Sequence, residues 1–339
     1  MGCNLIIHMG LVKTGTTTLQ KRCFELFDNT VTTNSTDEWK RKIRDELVRL
    51  VLDFDPSIWN RNEGRGYLEL LRKACNKNAE NPFFISREAL LFPKFFNYVK
   101  SCTMFSGERC GRYPVSLHLE AILKNSPWIS GLRVLLTLRN QPQWLASLYA
   151  EQSNYVERAS QDDFELQVRQ LLSDDSLDGG GFLNWGYLVQ DLARVVGKNN
   201  VYVLLLEEIN MYSYWENLAE ATGLPFDPKD FISVSGQREN IRSDDSAVWS
   251  LRRRKNIPLH TAVYFRRPYS RTTCHPRAKK ATIPQPMRRP DWYWNLRRSM
   301  KFHLSNELSA EIREYCKPFN QELARVLGRD FSELLALGY

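Results

Sequence analysis

The chain has 339 residues, of which 42% are hydrophobic and 25% are charged, a composition typical of a globular protein with a full core. No segment reaches the roughly 18 apolar residues that a membrane-spanning helix needs. Seven cysteines without a C-x-x-C pair favour neither a disulfide framework nor a zinc site. The net charge of +8 suits anionic ligands but does not select one.

The first predicted element is a short apolar strand at Leu5–Met9, which leads into a glycine-rich loop. The loop reads GLVKTGTTT at positions 10–18, with Gly10 and Gly15 at the separation that phosphate-binding loops require. A nucleoside triphosphatase would carry lysine at the position of Thr16, so the loop points away from ATP chemistry. The lysine is instead Lys13, whose ammonium can meet one oxygen at the loop mouth. Backbone N–H groups of the loop and of the following helix can hold an anion.

Helical periodicity follows at Asp37–Asp53 and Gly66–Asn76, and a second short apolar strand is predicted at Phe83–Ser86. Arg87 and Glu88 come directly after this strand. The glutamate has two interpretations. It can take a proton from a bound ligand, or it can cap the next helix by accepting N–H bonds in the first turn.

The third predicted strand, Arg133–Leu138, is followed by Arg139 and a helix over Pro142–Ala159. That helix carries Ser147, eight residues after Arg139. An arginine offers a planar fork of donors to a phosphate, and a hydroxyl on a helix adds one more hydrogen bond. The alternative is a surface arginine and a helix serine that share no ligand.

A helix over Trp185–Val196 and a fourth strand over Val201–Leu206 continue the alternation, and helical periodicity returns at Leu304–Leu327. The four apolar runs are short and continuous, as parallel strands buried on both faces are. We therefore predict an α/β fold with a parallel central sheet flanked by helices, and with helical and irregular insertions. In such sheets ligands bind at the carboxyl ends of the strands. The glycine-rich loop, Arg87–Glu88 and Arg139 all follow such an end.

Two of these motifs, in this order, resemble the signatures of bacterial-type sulfotransferases that use 3′-phosphoadenosine 5′-phosphosulfate (PAPS). The segment from Lys13 to Thr17 matches the family's Lys-[TS]-Gly-Thr-[TS] loop, and Arg139 and Ser147 have the spacing of its 3′-phosphate ligands. The stretch 185–208 is similar to the helix, turn and fourth strand of bacterial members, so the resemblance covers about two thirds of the chain. It implies a P-loop-containing nucleotide-binding fold, PAPS as cosubstrate, adenosine 3′,5′-bisphosphate as product, and no metal.

The resemblance also implies which residues bind the nucleotide. The 5′-phosphosulfate would be held by the loop residues Lys13, Thr14, Gly15, Thr16, Thr17 and Thr18. The 3′-phosphate would be held by Arg139 and Ser147, and by a basic loop beyond the fourth strand that is represented here by Arg238 and Arg242. A solvated run of charges is the alternative for that last pair.

Catalysis would fall to Lys13, which meets the charge on the leaving phosphate, and to a base that takes the acceptor proton. The family places a catalytic His or Glu after the second strand, which makes Glu88 the candidate base. The acceptor contacts are predicted at Arg87, His8 and Trp292, although His8 lies within a strand and Trp292 lies in an aromatic cluster that suits packing. Arg87 could equally hold a phosphate, hold an acidic acceptor or lie in solvent. Should Glu88 not be the base, the histidines at positions 8, 118, 260, 275 and 303 are the alternatives.

Two other functions stay open. A P-loop kinase or nucleoside triphosphatase would carry lysine at Thr16 and a Mg²⁺-binding aspartate at the end of a neighbouring strand, where this chain has Arg139. A non-catalytic binder of polyanions is favoured only by the basic composition, and no nucleic-acid module is recognisable. Binding of adenosine 3′,5′-bisphosphate but not ATP separates the sulfotransferase from both.

We predict one sulfotransferase domain over residues 1–339, with residues 246–300 as a variable substrate or lid region. Within it, 256–290 is rich in arginine and proline, and its role is not predicted. The expected acceptor is a hydroxyl of a glycan or small molecule, without a nucleic-acid partner or a transmembrane segment, and the oligomeric state is open. The early start of the first strand leaves no room for a signal peptide, which predicts a cytoplasmic protein with reduced thiols.

Overall fold

The computed structural model describes residues 2–51, 55–77, 81–91, 112–153, 156, 159–173, 183–223, 227, 248–251 and 300–339. Within these ranges five strands form a parallel sheet with the order β2-β3-β1-β4-β5. The strands are β1 (Cys3–Gly10), β2 (Thr30–Val31), β3 (Phe83–Ser86), β4 (Ile129–Leu138) and β5 (Val201–Leu205). The four predicted strands and the parallel α/β sheet are confirmed. Strand β2 escapes prediction because two residues are too few to display a pattern.

Helices flank this sheet in the order of the chain. They are α1 (Thr16–Arg22), α2 (Glu38–Val51), α3 (Asn62–Asn76), α4 (Pro114–Asn125), α5 (Gln141–Gln152), α6 (Gln161–Leu172), α7 (Trp185–Val196), α8 (Tyr212–Thr222), α9 (Asn306–Leu327) and α10 (Phe331–Ala336). A second, antiparallel pair joins β6 (Val248–Ser250) to β7 (Lys301–His303). No helix in the described ranges is both long and apolar enough to cross a membrane.

The prediction that one helix extends from Pro142 to Ala159 is wrong. Helix α5 ends at Gln152, and the hydroxyl of Ser153 donates to the carbonyl of Ala150 at 2.9 Å. This bond satisfies a carbonyl that lacks a partner at a helix end. A separate helix, α6, then begins behind Ser160, whose hydroxyl accepts the N–H of Asp163.

Burial on both faces explains why the strands read as continuous apolar runs. On β1, Leu5, Ile7 and Met9 pack in one hydrophobic cluster, whereas Ile6 packs in a second cluster with Phe84. Successive side chains of a strand point to opposite faces, so the two clusters cover the two faces of the sheet.

The order of the strands places β1, and the loop that follows it, at the centre of the carboxyl edge of the sheet. Strand β1 lies between β3 and β4, so the glycine-rich loop lies between two other strand ends. Arg87 and Glu88 follow β3 on one side of the loop, and Arg139 follows β4 on the other. The glycine-rich loop, Arg87, Glu88 and Arg139 therefore lie at one edge of the sheet.

Candidate functional site

The glycine-rich loop between β1 and α1 has an unusual backbone. Gly15 has a φ of 80°, and Lys13, with 73°, is alone among the described non-glycine residues in having a positive φ. Such conformations are rare outside glycine and are concentrated at functional sites. A Cβ on Gly10 would lie 2.1 Å from the hydroxyl oxygen of Thr137 on β4, so the loop can approach β4 this closely only with glycine there.

The threonines of the loop differ in how far they are exposed to a ligand. Thr14, Thr16 and Thr18 are buried, whereas Thr17 is half-buried. The hydroxyl of Thr14 donates to the carbonyl oxygen of Leu11 at 2.6 Å and so stabilises the loop from inside. Thr14 can therefore offer a ligand its backbone N–H, and Thr17 is the threonine whose hydroxyl is most open to one.

Lys13 forms an ion pair with a residue that the sequence does not single out. Its Nζ lies 2.5 Å from Oε2 of Glu151, and the two side chains are 24% and 22% exposed. Glu151 lies on α5, one helical turn after Ser147. No motif marks it, because the contact joins two residues that are far apart in the chain. The carboxylate holds the ammonium beside the loop.

Glu88 is half-buried at the start of a short 3₁₀ helix, Glu88–Leu91. The pKa of its carboxyl is raised to about 7, chiefly by burial. The positive charges of Lys13 and Arg87 oppose this rise, and the negative charge of Glu151 adds to it. These four charged groups therefore lie close enough to influence one another's protonation. No described residue donates a hydrogen bond to the Glu88 carboxylate, so the bond that a helix cap requires is missing from this part of the chain.

Arg139 and Ser147 meet on the other side of the loop. Nη1 of Arg139 donates to the Ser147 hydroxyl at 2.8 Å, and the indole Nε1 of Trp249 donates to the same oxygen at 3.2 Å. A hydroxyl has two acceptor lone pairs and one proton to donate. With both lone pairs engaged, and no acceptor for its proton among the described residues, the Ser147 hydroxyl is set to donate to a bound anion.

The turn after Arg139 is held by the half-buried carboxylate of Glu207. Oε1 of Glu207 accepts the backbone N–H and the side-chain amide of Asn140, both at 3.0 Å, and its Oε2 accepts the hydroxyl of Tyr339 at 3.2 Å. These bonds join the ends of β4 and β5 to the end of the chain. They hold the backbone next to Arg139 in one position.

A chain of buried hydrogen bonds connects the loop to His8 on β1. The Thr14 hydroxyl gives its proton to Leu11, so it accepts a proton from the Thr137 hydroxyl, 2.9 Å away. Thr137 then accepts a bond from His8, whose Nε2 lies 3.4 Å from the Thr137 hydroxyl. His8 therefore carries its proton on Nε2.

The other ring nitrogen of His8 completes this chain. Its Nδ1 accepts a proton from the hydroxyl of Ser86, 2.7 Å away, and Ser86 accepts a bond from the amide of Gln20 at 2.9 Å. The arrangement needs a neutral ring, and burial lowers the pKa of His8 to about 3. His8 is buried and both its nitrogens are engaged, which argues against the predicted contact with an acceptor. It supports the loop instead.

Replacing His8 with Phe tests this supporting role. The ring fits beside Phe24 and Phe84, but the hydroxyls of Ser86 and Thr137 each lose one of their two hydrogen-bond partners, so we expect a loss of about 1–3 kcal/mol in the free energy of unfolding. In the wild type the pKa of His8 is lower in the folded than in the unfolded state. The contribution of His8 to the free energy of unfolding is therefore present above pH 6.5 and is lost as the pH falls towards 3.

Urea denaturation at a series of pH values measures both effects. The difference in stability between wild type and His8→Phe should shrink as the pH is lowered. An equal difference at pH 7 and pH 4 would contradict the neutral, doubly bonded His8.

The other predicted residues fall in two groups. Arg238, Arg242, Trp292, His260 and His275 lie outside the described residues. Of the remaining histidines, His118 is buried on α4, where its Nδ1 accepts the indole N–H of Trp59 at 2.9 Å and burial lowers its pKa to about 4, and His303 is exposed on β7. Within the described ranges, no group of three or more His, Cys, Asp or Glu side chains could hold a metal ion.

No protein-family model matches this chain, and no curated protein matches it.

Proposed function

We propose that this protein is a sulfotransferase with a P-loop-like nucleotide site, which transfers the sulfuryl group of PAPS to a hydroxyl of an acceptor. The contact that carries the proposal is the one between Nη1 of Arg139 and the Ser147 hydroxyl, 2.8 Å apart. It joins a strand end to the following helix beside the glycine-rich loop. A guanidinium and a hydroxyl proton at this point would bind a second phosphate, separate from the one that the loop would hold, as the 3′-phosphate of PAPS requires.

The loop would bind the other end of the nucleotide. Its backbone N–H groups and the Thr17 hydroxyl face the phosphosulfate, while the buried hydroxyl of Thr14 keeps the loop in shape. Lys13 would leave Glu151 and move to the oxygen that bridges phosphorus and sulfur. Negative charge grows on that oxygen as the bond to sulfur breaks, so the ammonium stabilises the transition state more than the bound substrate.

Glu88 would complete the reaction from the other side of the loop. The acceptor oxygen forms a bond to sulfur, the bond from sulfur to the bridging oxygen breaks, and the acceptor proton passes to the Glu88 carboxylate. A base works best when its pKa lies near the operating pH, and the pKa of Glu88 is about 7. The products are the sulfated acceptor and adenosine 3′,5′-bisphosphate.

Calorimetry with three nucleotides tests the proposed nucleotide site. Arg139→Gln should weaken the binding of adenosine 3′,5′-bisphosphate by about 10- to 100-fold, because a hydrogen bond to a charged group contributes about 1.5–3 kcal/mol. The affinity of Arg139→Gln for AMP should stay within about twofold of the wild-type value, because AMP lacks the 3′-phosphate and makes no bond to Arg139. Ser147→Ala should show the same selectivity with a smaller loss.

Arg133→Gln is the matched control, since it removes the same charge from an earlier position on β4. Equal losses of affinity for both nucleotides in Arg139→Gln would show that Arg139 acts through folding. Tighter binding of ATP than of adenosine 3′,5′-bisphosphate by the wild type would instead favour a kinase or nucleoside triphosphatase.

A further inference from the structure

The guanidinium of Arg87 lacks the partners that a half-buried charge normally has. Its Nη1 donates to the hydroxyl of Thr33 at 3.2 Å. Its Nε is shielded from solvent and has no hydrogen-bond partner among the described residues. No carboxylate of these residues forms an ion pair with it. Buried charges are usually paired, and a buried donor without a partner costs about 1–3 kcal/mol. A ligand oxygen that reached Nε after a shift of the surrounding side chains would remove that cost.

The surroundings of Arg87 add positive charge. On α2, Arg44 forms two hydrogen bonds with Asp45, from Nε at 2.7 Å and from Nη2 at 2.9 Å, and Arg41 also acts on this carboxylate. Burial lowers the pKa of Arg87, Arg44 lowers it further, and Asp45 and Glu88 raise it. Asp45 is already engaged by Arg44. Three arginines therefore act on this surface against the two carboxyl groups of Asp45 and Glu88, and the excess of positive charge favours an anion.

The position of Arg87 indicates which molecule would supply that anion. The backbone N–H of Arg87 donates to the carbonyl of His8 at 2.9 Å, which fixes the residue beside β1 on the β3 side of the loop. Arg139 and Ser147, which we assign to the 3′-phosphate, follow β4 on the opposite side. An anion at Arg87 would therefore belong to the acceptor.

Arg87 also determines how that anion can be held. Because Nη1 is engaged with Thr33, the edge formed by Nε and Nη2 is the one that would bind a ligand, after a side-chain shift that opens the shielded Nε. This edge presents two parallel N–H groups, which suit the two oxygens of a carboxylate. Since Glu88 is the next residue, with its Cα about 3.8 Å away, the anionic group would lie close to the hydroxyl that reacts.

We propose that Arg87 binds a carboxylate of the acceptor, so that the substrates of this protein are hydroxy acids such as uronates or carboxylated phenols. The proposal rests on the proposed function for the identity of the reaction. The carboxylate site itself is tested without turnover.

Two matched pairs of probes test the site by calorimetry on the full chain saturated with adenosine 3′,5′-bisphosphate. One pair is D-glucuronate and D-glucose, and the other is 4-hydroxyphenylacetate and its amide. For at least one pair, the carboxylate should bind about tenfold more tightly than its neutral partner. Arg87→Gln should abolish this preference, and Arg87→Lys, which keeps the charge but not the fork, should retain part of it.

Arg49→Gln serves as the control, because Arg49 is an exposed arginine of α2 paired with Glu46 and its loss changes the net charge equally. It should leave the preference intact. The proposal is overturned if neither pair shows a preference for the carboxylate, or if inorganic sulfate binds as tightly as the preferred carboxylate. It is also overturned if Arg49→Gln reduces the preference as much as Arg87→Gln does. Melting temperatures identify any variant that has failed to fold, and Arg87→Lys then carries the comparison.

The two proposals fail in different ways. Absence of binding to adenosine 3′,5′-bisphosphate would reject the proposed function, while the carboxylate preference could still be measured in the nucleotide-free chain. Binding of the nucleotide without a preference for the carboxylate would reject only the proposed role of Arg87.

Discussion

Glu88→Gln lowers turnover by about 10²–10⁴-fold and leaves the affinity for adenosine 3′,5′-bisphosphate unchanged, if Glu88 is the base. The glutamine keeps the size of the side chain but cannot accept the acceptor proton. Single-turnover assays with PAPS measure the chemical step, and calorimetry measures nucleotide binding. A variant with normal turnover would remove Glu88 from the mechanism.

The pH dependence of turnover gives an independent check on Glu88. The base must be ionised to accept a proton, so wild-type turnover should rise with pH through a pKa near 7 and then level off. Glu88→Gln should lose this dependence. Glu151→Gln should move it to lower pH, because the charge of Glu151 raises the pKa of Glu88. A profile that is the same in all three proteins would place the titrating group elsewhere.

Stability separates catalysis from helix capping. Burial raises the pKa of Glu88 in the folded state, so the stability associated with its neutral form is lost as the pH rises through about 7. Glu88→Gln has no charge to bury, and its melting temperature relative to wild type should therefore increase between pH 5 and pH 8. A capping glutamate would show the reverse, since its removal costs roughly 1 kcal/mol or less when the carboxylate is ionised.

Lys13→Ala produces the second large effect. We expect kcat to fall by about 10²–10³-fold, as it does when a single donor to a developing negative charge is removed. The affinity for adenosine 3′,5′-bisphosphate should fall much less, because the contact strengthens as charge moves onto the bridging oxygen. Near-normal turnover in Lys13→Ala would show that the loop has been assigned wrongly.

Glu151 supplies the control for Lys13. Removing the lysine takes away a positive charge that lowers the pKa of Glu88 and leaves the charge of Glu151, which raises it, so the pKa of Glu88 should rise. In the double variant Lys13→Ala/Glu151→Gln the charge of Glu151 is removed as well. Turnover that stays low in the double variant, at a pH where Glu88 is ionised, assigns the loss to Lys13 itself. Recovery of turnover would assign the loss to the effect of the Glu151 charge on Glu88.

Local sequence determined the strands and the spacing of the residues that we propose bind the nucleotide. The runs that became β1, β3, β4 and β5 are recognisable because strands buried on both faces exclude polar side chains almost throughout. The approach of Arg139 to Ser147 is likewise local, since a strand end, a short turn and the first turns of a helix bring them together. The left-handed loop around Gly15 follows from residues that are adjacent in the chain.

Only the tertiary structure decided which residues meet across the sheet. The pairing of Lys13 with Glu151, and the bond from Trp249 to Ser147, join distant parts of the chain, and no periodicity encodes such contacts. The sequence predicts an acceptor contact at His8, whereas both ring nitrogens of His8 form buried hydrogen bonds in the structure. The raised pKa of Glu88 also depends on burial and on neighbouring charges, which are properties of position in space rather than of residue type.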